Sequence, residues 1–437
     1  MLRRLSVVFA GVAFATLAAC SPKPQGNAHL QSAYRTPNAW PMYQYSSANN
    51  AVFPGSLSVT WSFDTGGRVN GGLAVVGDTV YVDSFSKKLF ALNLENGSIL
   101  WEATLPGIVM STPIVAHGLV VVGTGTNAVL PSTLQGAKIE WGRPQGDAYI
   151  AFDESTGRKV WSFHTVGEDM PTPALVGNVL VFGNGDRHAY GVDIDSGKKL
   201  WSIPIPGITS MSGTTTYGKT AFVIVSGAPS KKDGQPSNLL AVDASSGHMR
   251  WLAPYGNSDS SAAEASGVIA SEGSVDTPYG IAHSIGSTGE NDVEVYDAVT
   301  GKIRWRWVSD PGYYTNVESN ERAISSMISG GTLYQPVPTL NEMIAFRLSD
   351  GKILWRFKTA GPVKMSPIKT KNGMLIFGDT EGILYAVDAR TGKLNNLGIT
   401  NHPFSVSPPV VVGETLIIAH NDRVQAMPLS DLVIPPS

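Results

Sequence analysis

The stretch AFDESTGRKVW, residues 151–161, constrains this chain more than any other feature, because it recurs. Related stretches end at Trp101, Trp201, Trp251, Trp305 and Trp355, and a further copy, AVDARTGKLNN at 386–396, lacks the terminal Trp. Each copy reads as the end of one strand, a turn and the opening of the next. The turns carry Gly97, Gly157, Gly197, Gly247, Gly301, Gly351 or Gly392. A tight hairpin needs a left-handed residue at that place, and glycine has no Cβ to clash there. Asp153, Asp193, Asp243, Asp297 and Asp388 open the turns, where a carboxylate accepts hydrogen bonds from the turn amides. Asn93 is an equivalent acceptor, and Arg347 is not.

A repeat of this length points to a solenoid or a propeller. The third unit shows four strand candidates, 172–176, 179–183, 188–193 and 199–203, split by Gly-Asn, Gly-Asp and Ser-Gly pairs. Counted by their first two strands, eight units open near Gly72, Thr112, Thr172, Gly213, Ser266, Ser325, Ser366 and Ser407. The eighth stops after its third strand, and LSVTWSFDTGG, around Trp61, is a surplus fourth strand at the other end. Residues 57–65 are therefore expected to complete the eighth unit and close the ring, leaving few exposed edges. The expected fold is all-β, an eight-bladed propeller of four-stranded antiparallel blades. Low charge, 15% of residues, and 47 Gly agree with a turn-rich β protein, and a net charge of −3 gives no footing for nucleic acid.

Trp61, Trp101, Trp161, Trp201, Trp251, Trp305 and Trp355 take one place per unit. Such regularity suits a bulky wedge between neighbouring blades better than a ligand platform. Small residues recur at the unit openings, as in Met110-Ser111-Thr112-Pro113 and Met365-Ser366-Pro367. Tight packing about the axis explains them, with a polar channel ligand as the alternative.

The chain begins with a targeting segment. Arg3 and Arg4 precede an apolar run, Val7 to Leu17, too short to span a bilayer comfortably. Leu17-Ala18-Ala19-Cys20 resembles a bacterial lipobox, with Cys20 as the lipidated first residue of the mature chain. The expected organisation is a signal peptide over 1–19, a lipidated tether over 20–37 and one propeller over 38–437. The expected location is the periplasm, anchored by lipid to the outer membrane. A single cysteine excludes a disulfide, a C-x-x-C-H haem site and a Cys-ligated zinc in the mature domain.

Over residues 57–427 the units resemble the pyrroloquinoline-quinone (PQQ)-type propeller repeat, with its L-x-A-x-D-x-x-T-G-x-x-x-W signature. With the lipobox and eight units, the chain resembles the BamB family; residues 365–394 carry the likeness most closely. That resemblance implies a non-catalytic lipoprotein scaffold without a cofactor, whose partner is an envelope protein of the outer-membrane assembly machine. The alternative is a periplasmic enzyme on the same propeller. Residues 141–168 look similar to part of the quinoprotein alcohol dehydrogenases, which implies PQQ with a calcium ion. Tetrathionate hydrolases use a similar propeller. No Ser-His-Asp order or metal-ligand spacing supports hydrolysis directly.

In a four-strand meander the D-x-x-T-G turns share a face with the first-to-second turns. Insertions gather on the other face, at 125–146, 227–237, 272–291 and 308–323, and long loops on a rigid scaffold carry function. Exposed aromatic and Arg anchors dominate interfaces, so Trp141, Arg143, Tyr313, Tyr314, Glu318 and Arg322 are the candidate partner-binding residues. BamB proteins dock through an Arg- and Asp-bearing loop before the fifth unit. Here that place, 254–267, has Asp259 and Glu264 but no Arg. His164, His188 and His420 lie in or beside strands and read as surface residues.

Overall fold

The computed structural model describes residues 60–432, apart from 126–146, 168, 170, 210–211, 227–236, 256–260, 275–287, 314–324, 401 and 405. It is an eight-bladed propeller in which each blade is an antiparallel meander, innermost strand first. Blade 3 is representative, with strands Ala174–Val176, Val179–Gly183, His188–Asp193 and Lys199–Pro204. The innermost strands are only two or three residues long, because eight of them must crowd round one axis. Blade 2 gains a short strand, Ile108–Val109, that prolongs its sheet beside Thr124 and Gly125. The ring closes as the sequence implied. Trp61–Asp64 pairs with Arg423–Pro428 and completes blade 8 as its outermost strand.

One opening is corrected. Blade 5 begins with Ala263–Ala265, ahead of Ser266. Ser266 (φ 55°) and Gly267 (φ 75°) form the first turn instead. Glu264 interrupts the apolar pattern of this short strand and hides it.

The hydrophobic core is divided among the blade interfaces. One cluster joins Ile114, Val121 and Tyr149 of blade 2 to Leu175, Leu180 and Phe182 of blade 3. The same lock holds the outer part of seven of the eight interfaces. Trp201 of blade 3 donates its Nε1 hydrogen to the Ala244 carbonyl of blade 4 at 2.8 Å. Its ring lies against Gly247, the left-handed glycine of that blade's turn, at φ 71°. A Cβ there would sit 2.6 Å from the indole, so the glycine serves both backbone and contact. Trp161 meets Ile194 and Gly197 in the same way, and Trp305 meets Leu348 and Gly351. Trp61 of the closing strand meets Leu94 and Gly97 of blade 1.

A bulge aims the indoles of blades 1 to 6, whereas Trp61 lies in a regular pairing. In blade 1 the third and fourth strands pair Ala91 with Trp101 and Leu92 with Ile99, which leaves Leu100 unpaired. The extra residue turns outward, where Leu100, Val160, Leu200 and Leu354 are about half exposed, and the next residue turns toward the neighbouring blade.

The copy without Trp now has a reason. Blade 7 faces blade 8, whose third and fourth strands come from opposite ends of the chain and share no turn. No turn glycine stands there for an indole to cover. Asn396 takes the Trp place and reaches the Asp431 carbonyl at 3.4 Å. Trp201→Ala is expected to lower unfolding free energy by roughly 3–5 kcal/mol, the cost of emptying a packed aromatic site. Asn396→Ala is expected to cost under about 1 kcal/mol, that of one weak hydrogen bond. Denaturant unfolding of both variants checks the contrast.

Candidate functional site

The turn face is built for structure. Asp153 Oδ1 accepts from the Thr156 amide at 2.9 Å and the Thr156 hydroxyl at 2.6 Å, and Asp193 and Asp388 repeat the pattern. These bonds favour the ionised form and lower the pKa of all three carboxyls; in Asp297 the Arg304 guanidinium leads and the value falls to about 2.

The inner layer differs. Blade-to-blade hydrogen bonds tie the chain leading into the innermost strands. The Gly72 amide donates to Thr112 Oγ1, and the Thr112 amide to Thr172 Oγ1, each at 2.8 Å. The Gly213 amide donates to Ser261 Oγ at 2.7 Å. Here the small residues fulfil a structural task. Other polar atoms of the layer are buried without a partner among the described residues: Asn70 Oδ1, Ser212 Oγ, Thr214 Oγ1, Ser326 Oγ and Ser407 Oγ. Buried polar atoms are costly unless water or a ligand satisfies them.

Asp83 is the sharpest case. It is fully buried at the insertion-face end of the second strand of blade 1, and neither carboxyl oxygen has a partner among the described residues. Burial alone pushes its pKa well above the usual carboxylate range. The equivalent residues of three other blades are Gly123, Gly183 and Gly378, where a side chain would strike the Asp169 carbonyl, Thr209 or Phe404. The carboxyl fits in blade 1 because its neighbour Gly71 is bare; a Cβ on Gly71 would lie 3.0 Å from Asp83 Oδ1. In blade 1 a carboxyl stands where three other blades keep a glycine, at a place where nothing among the described residues pairs with it.

Asp169, in the connection into blade 3, is buried too and its pKa is raised by burial. Its partners are complete, however: Thr165 donates at 2.7 Å and Asn184 at 2.6 Å. Asp169 holds its loop, whereas Asp83 holds nothing. Lys364, in the connection into blade 7, is 1% exposed and brings an amine to the same layer. Among the described residues no three His, Cys, Asp or Glu side chains gather as a metal cluster.

The candidate partner residues scatter with respect to what the structure describes. Tyr313 lies in the short strand Gly312–Tyr313, whose backbone pairs with Thr288–Gly289. Trp141, Arg143, Tyr314, Glu318, Arg322 and Cys20 lie outside the described residues. Glu264, read as part of a loop before the fifth unit, belongs to the innermost strand of blade 5. Its Oε1 accepts from the Gly267 amide at 3.0 Å, and burial raises its pKa to about 7. His164 is exposed and His188 half-buried, but His420 is 2% exposed, a correction to its reading as a surface residue. Asp83 and Lys364 were missed. The signal for Asp83 was the second strand VYVDS set against VVVGT, LVFGN and LIFGD, where the fourth letter turns from Gly to Asp.

The eight-bladed ring, its Trp–Gly locks and its repeat define a PQQ-like β-propeller. The profile described as outer membrane protein assembly factor BamB matches residues 51–288 and 289–395, and the chain belongs to that family. The tetrathionate hydrolase of Acidithiobacillus ferrooxidans is 25% identical over 413 residues, 90% of this chain and 79% of that protein. BamB of Yersinia pestis is 23% identical over 365 residues, 80% of this chain and 69% of that one. The quinohemoprotein alcohol dehydrogenase of Comamonas testosteroni superposes with a TM-score of 0.65 at 14% identity, covering 91% of this chain and 82% of that structure. That last likeness is one of fold.

These comparisons overturn the scaffold expectation. A hydrolase matches more of both chains than the Yersinia BamB does. The docking place before blade 5 also lacks an Arg, and its latter part is an innermost strand instead of a free loop.

The buried carboxyls set a pH dependence. A raised folded pKa means the native state holds a proton the unfolded chain has released, so stability falls as pH rises through that window. For Glu264 the window runs from 4.5 to about 7. Glu264→Gln is expected to flatten the fall in melting temperature across it, and Asp83→Asn to raise melting temperature at neutral pH. Scans from acid to neutral pH check both; an unchanged slope in Glu264→Gln would contradict the assignment.

Proposed function

We propose that this chain is a cell-envelope hydrolase acting on tetrathionate or a related sulfur oxyanion, with its chemistry at the inner layer beside Asp83. The unpartnered carboxyl of Asp83 carries the reading, and the breadth of the match to a tetrathionate hydrolase supports it. A hydrolase on such a substrate must do three things. It binds a dianion, delivers water to a sulfur and handles two proton transfers. The unpaired hydroxyls of Ser212, Thr214, Ser326 and Ser407 are donors suited to sulfonate oxygens, and the buried Lys364 adds an amine. In the step, a water oxygen bonds to one sulfur while a sulfur–sulfur bond breaks, its electron pair leaving on the other sulfur. The water loses a proton and the leaving sulfur is protonated. Burial raises the pKa of the Asp83 carboxyl and favours its protonated form, which suits it to give a proton to the leaving sulfur.

Envelope placement rests on the outer-membrane role of the BamB relatives and on Leu17-Ala18-Ala19-Cys20. Lipid on Cys20 would tether the enzyme to the outer membrane, its substrate arriving from the periplasm. Cys20→Ser is expected to release active protein from the membrane fraction; a mutant that stays bound in high salt would contradict the anchor.

Purified chain is expected to convert tetrathionate at a rate read by the disappearance of tetrathionate. General acid–base groups contribute about 10²–10⁴-fold, so Asp83→Asn should lose activity by that factor while remaining folded. Tyr313→Ala should keep it. Full turnover by Asp83→Asn would remove Asp83 from the chemistry, and no turnover by the wild type would remove the reading.

A further inference from the structure

The turn face carries charge that the fold does not use. In blades 2, 3, 5, 6 and 7 the residue after the turn glycine is Arg158, Lys198, Lys302, Lys352 or Lys393, and each is exposed. In blades 2 and 3 a second exposed cation follows, Lys159 and Lys199. None of these forms an ion pair among the described residues. The hairpin does not require a cation, since Ser98 holds the same place in blade 1 and His248 in blade 4. The acids of this face are largely engaged. Asp153, Asp193 and Asp388 accept from their turn amides. Asp243 and Asp297 each hold an arginine at 2.7 Å, and Asp350 holds Arg347 at 2.9 Å. The exposed acids of this face without an ion pair among the described residues, Asp78, Glu95 and Glu414, lie in blades 1 and 8. The chain as a whole is −3, so an arc of unpaired cations from blade 2 to blade 7 sets this face apart from a mildly acidic protein.

Aliphatic side chains stand beside the cations. Val160, Leu200, Ile303 and Leu394 are about half exposed, and Val299, at the tip of the blade 5 turn, is 69% exposed. Exposed singly, such residues mean little. Set among unpaired cations on one face, they match a bilayer interface, which takes charge at its headgroups and apolar atoms at the boundary beneath. The path of the chain leads to the same face. Trp61 pairs with Ala426 and Asp64 with Arg423. Arg423 opens the third strand of blade 8 after its insertion-face turn, so Asp64 marks the insertion-face end of the closing strand and Trp61 the turn-face end. The residues before Trp61, Cys20 among them, therefore join the propeller on the side that carries the cations.

We propose that the turn face docks on an anionic phospholipid bilayer, with the cations of blades 2 to 7 on the headgroups and Val299 and its aliphatic neighbours at the boundary. The connections into the inner layer lie on the opposite face and stay open to solvent in this orientation. The inference rests on the face itself and does not depend on the hydrolase reading; lipid on Cys20 would hold the bilayer within reach.

The test uses the mature chain, residues 20–437, carrying Cys20→Ser, so that neither the apolar leader nor a lipid contributes. It is mixed with vesicles of phosphatidylglycerol and phosphatidylethanolamine, or of phosphatidylcholine alone. Sedimentation at about 0.05 M salt is expected to carry the protein down with the anionic vesicles and leave it in solution with the neutral ones. At about 1 M salt, where the Debye length is about 3 Å, binding is expected to vanish. Lys198→Gln with Lys199→Gln should lower the partition coefficient by about ten-fold or more, since each cation near such a surface is worth about five-fold. Lys87→Gln with Arg187→Gln removes the same charge from exposed turns on the opposite face and should leave binding unchanged. The proposal is overturned if anionic vesicles do not bind the chain, if phosphatidylcholine binds it equally, or if both pairs of substitutions weaken binding alike. Unchanged binding in a folded Lys198→Gln, Lys199→Gln chain would overturn it too. Should that pair not fold, Lys302→Gln with Lys352→Gln takes its place.

Discussion

The contact between one blade's indole and the next blade's turn glycine governs the architecture. Each lock joins two features that a single repeat cannot satisfy within itself. The Trp of one unit needs a carbonyl and a bare α-carbon, and the following unit supplies both, as Ala244 and Gly247 do for Trp201. The glycine needs φ near +70° for its hairpin, and the same absent Cβ admits the indole. Backbone and packing therefore demand the same residue for independent reasons. Because each blade depends on its neighbour, the ring is stable only when closed. The closing strand fits this logic, since Trp61 extends the series across the point where the chain's ends meet.

A scaffold that uses one face for regular turns leaves the other for variation. The Asp-headed turns, with their lowered pKa values, hold their hairpins and leave little for chemistry. Buried groups without partners concentrate instead where the connections enter the innermost strands. Asp83 replaces a glycine that three other blades keep. Burying a carboxyl without a hydrogen bond sacrifices stability, and such sacrifices cluster at sites of function. Asp169 is the useful contrast, equally buried and fully bonded, its raised pKa a by-product of structure.

The fold was legible because its signal is periodic. Turn glycines, Asp openings and one Trp per unit report local backbone needs, which neighbouring residues reveal. The surplus strand around Trp61 and the unfinished eighth unit were enough to imply closure. What escaped was long-range. The start of blade 5 was displaced because Ala263–Ala265 is three residues long and carries Glu264. The inner-layer site was not read because the environment of Asp83 is set by Gly71 and Ser111, each from a different connection. His420 seemed a surface residue because its strand position is inward only once blade 7 packs against it. The aromatics favoured for docking followed a rule about protein interfaces, whereas a hydrolase matches more of both chains than the Yersinia BamB does.

The account stands on the claim that substrate sits at the inner layer. Anomalous diffraction from crystals soaked in tetrathionate locates sulfur atoms directly. The account predicts a chain of sulfur peaks within hydrogen-bonding reach of Asp83 and the hydroxyls of the inner layer, lost or displaced in Asp83→Asn crystals. Sulfur peaks confined to the outer rim or the turn face, in crystals that turn over the substrate, would contradict it.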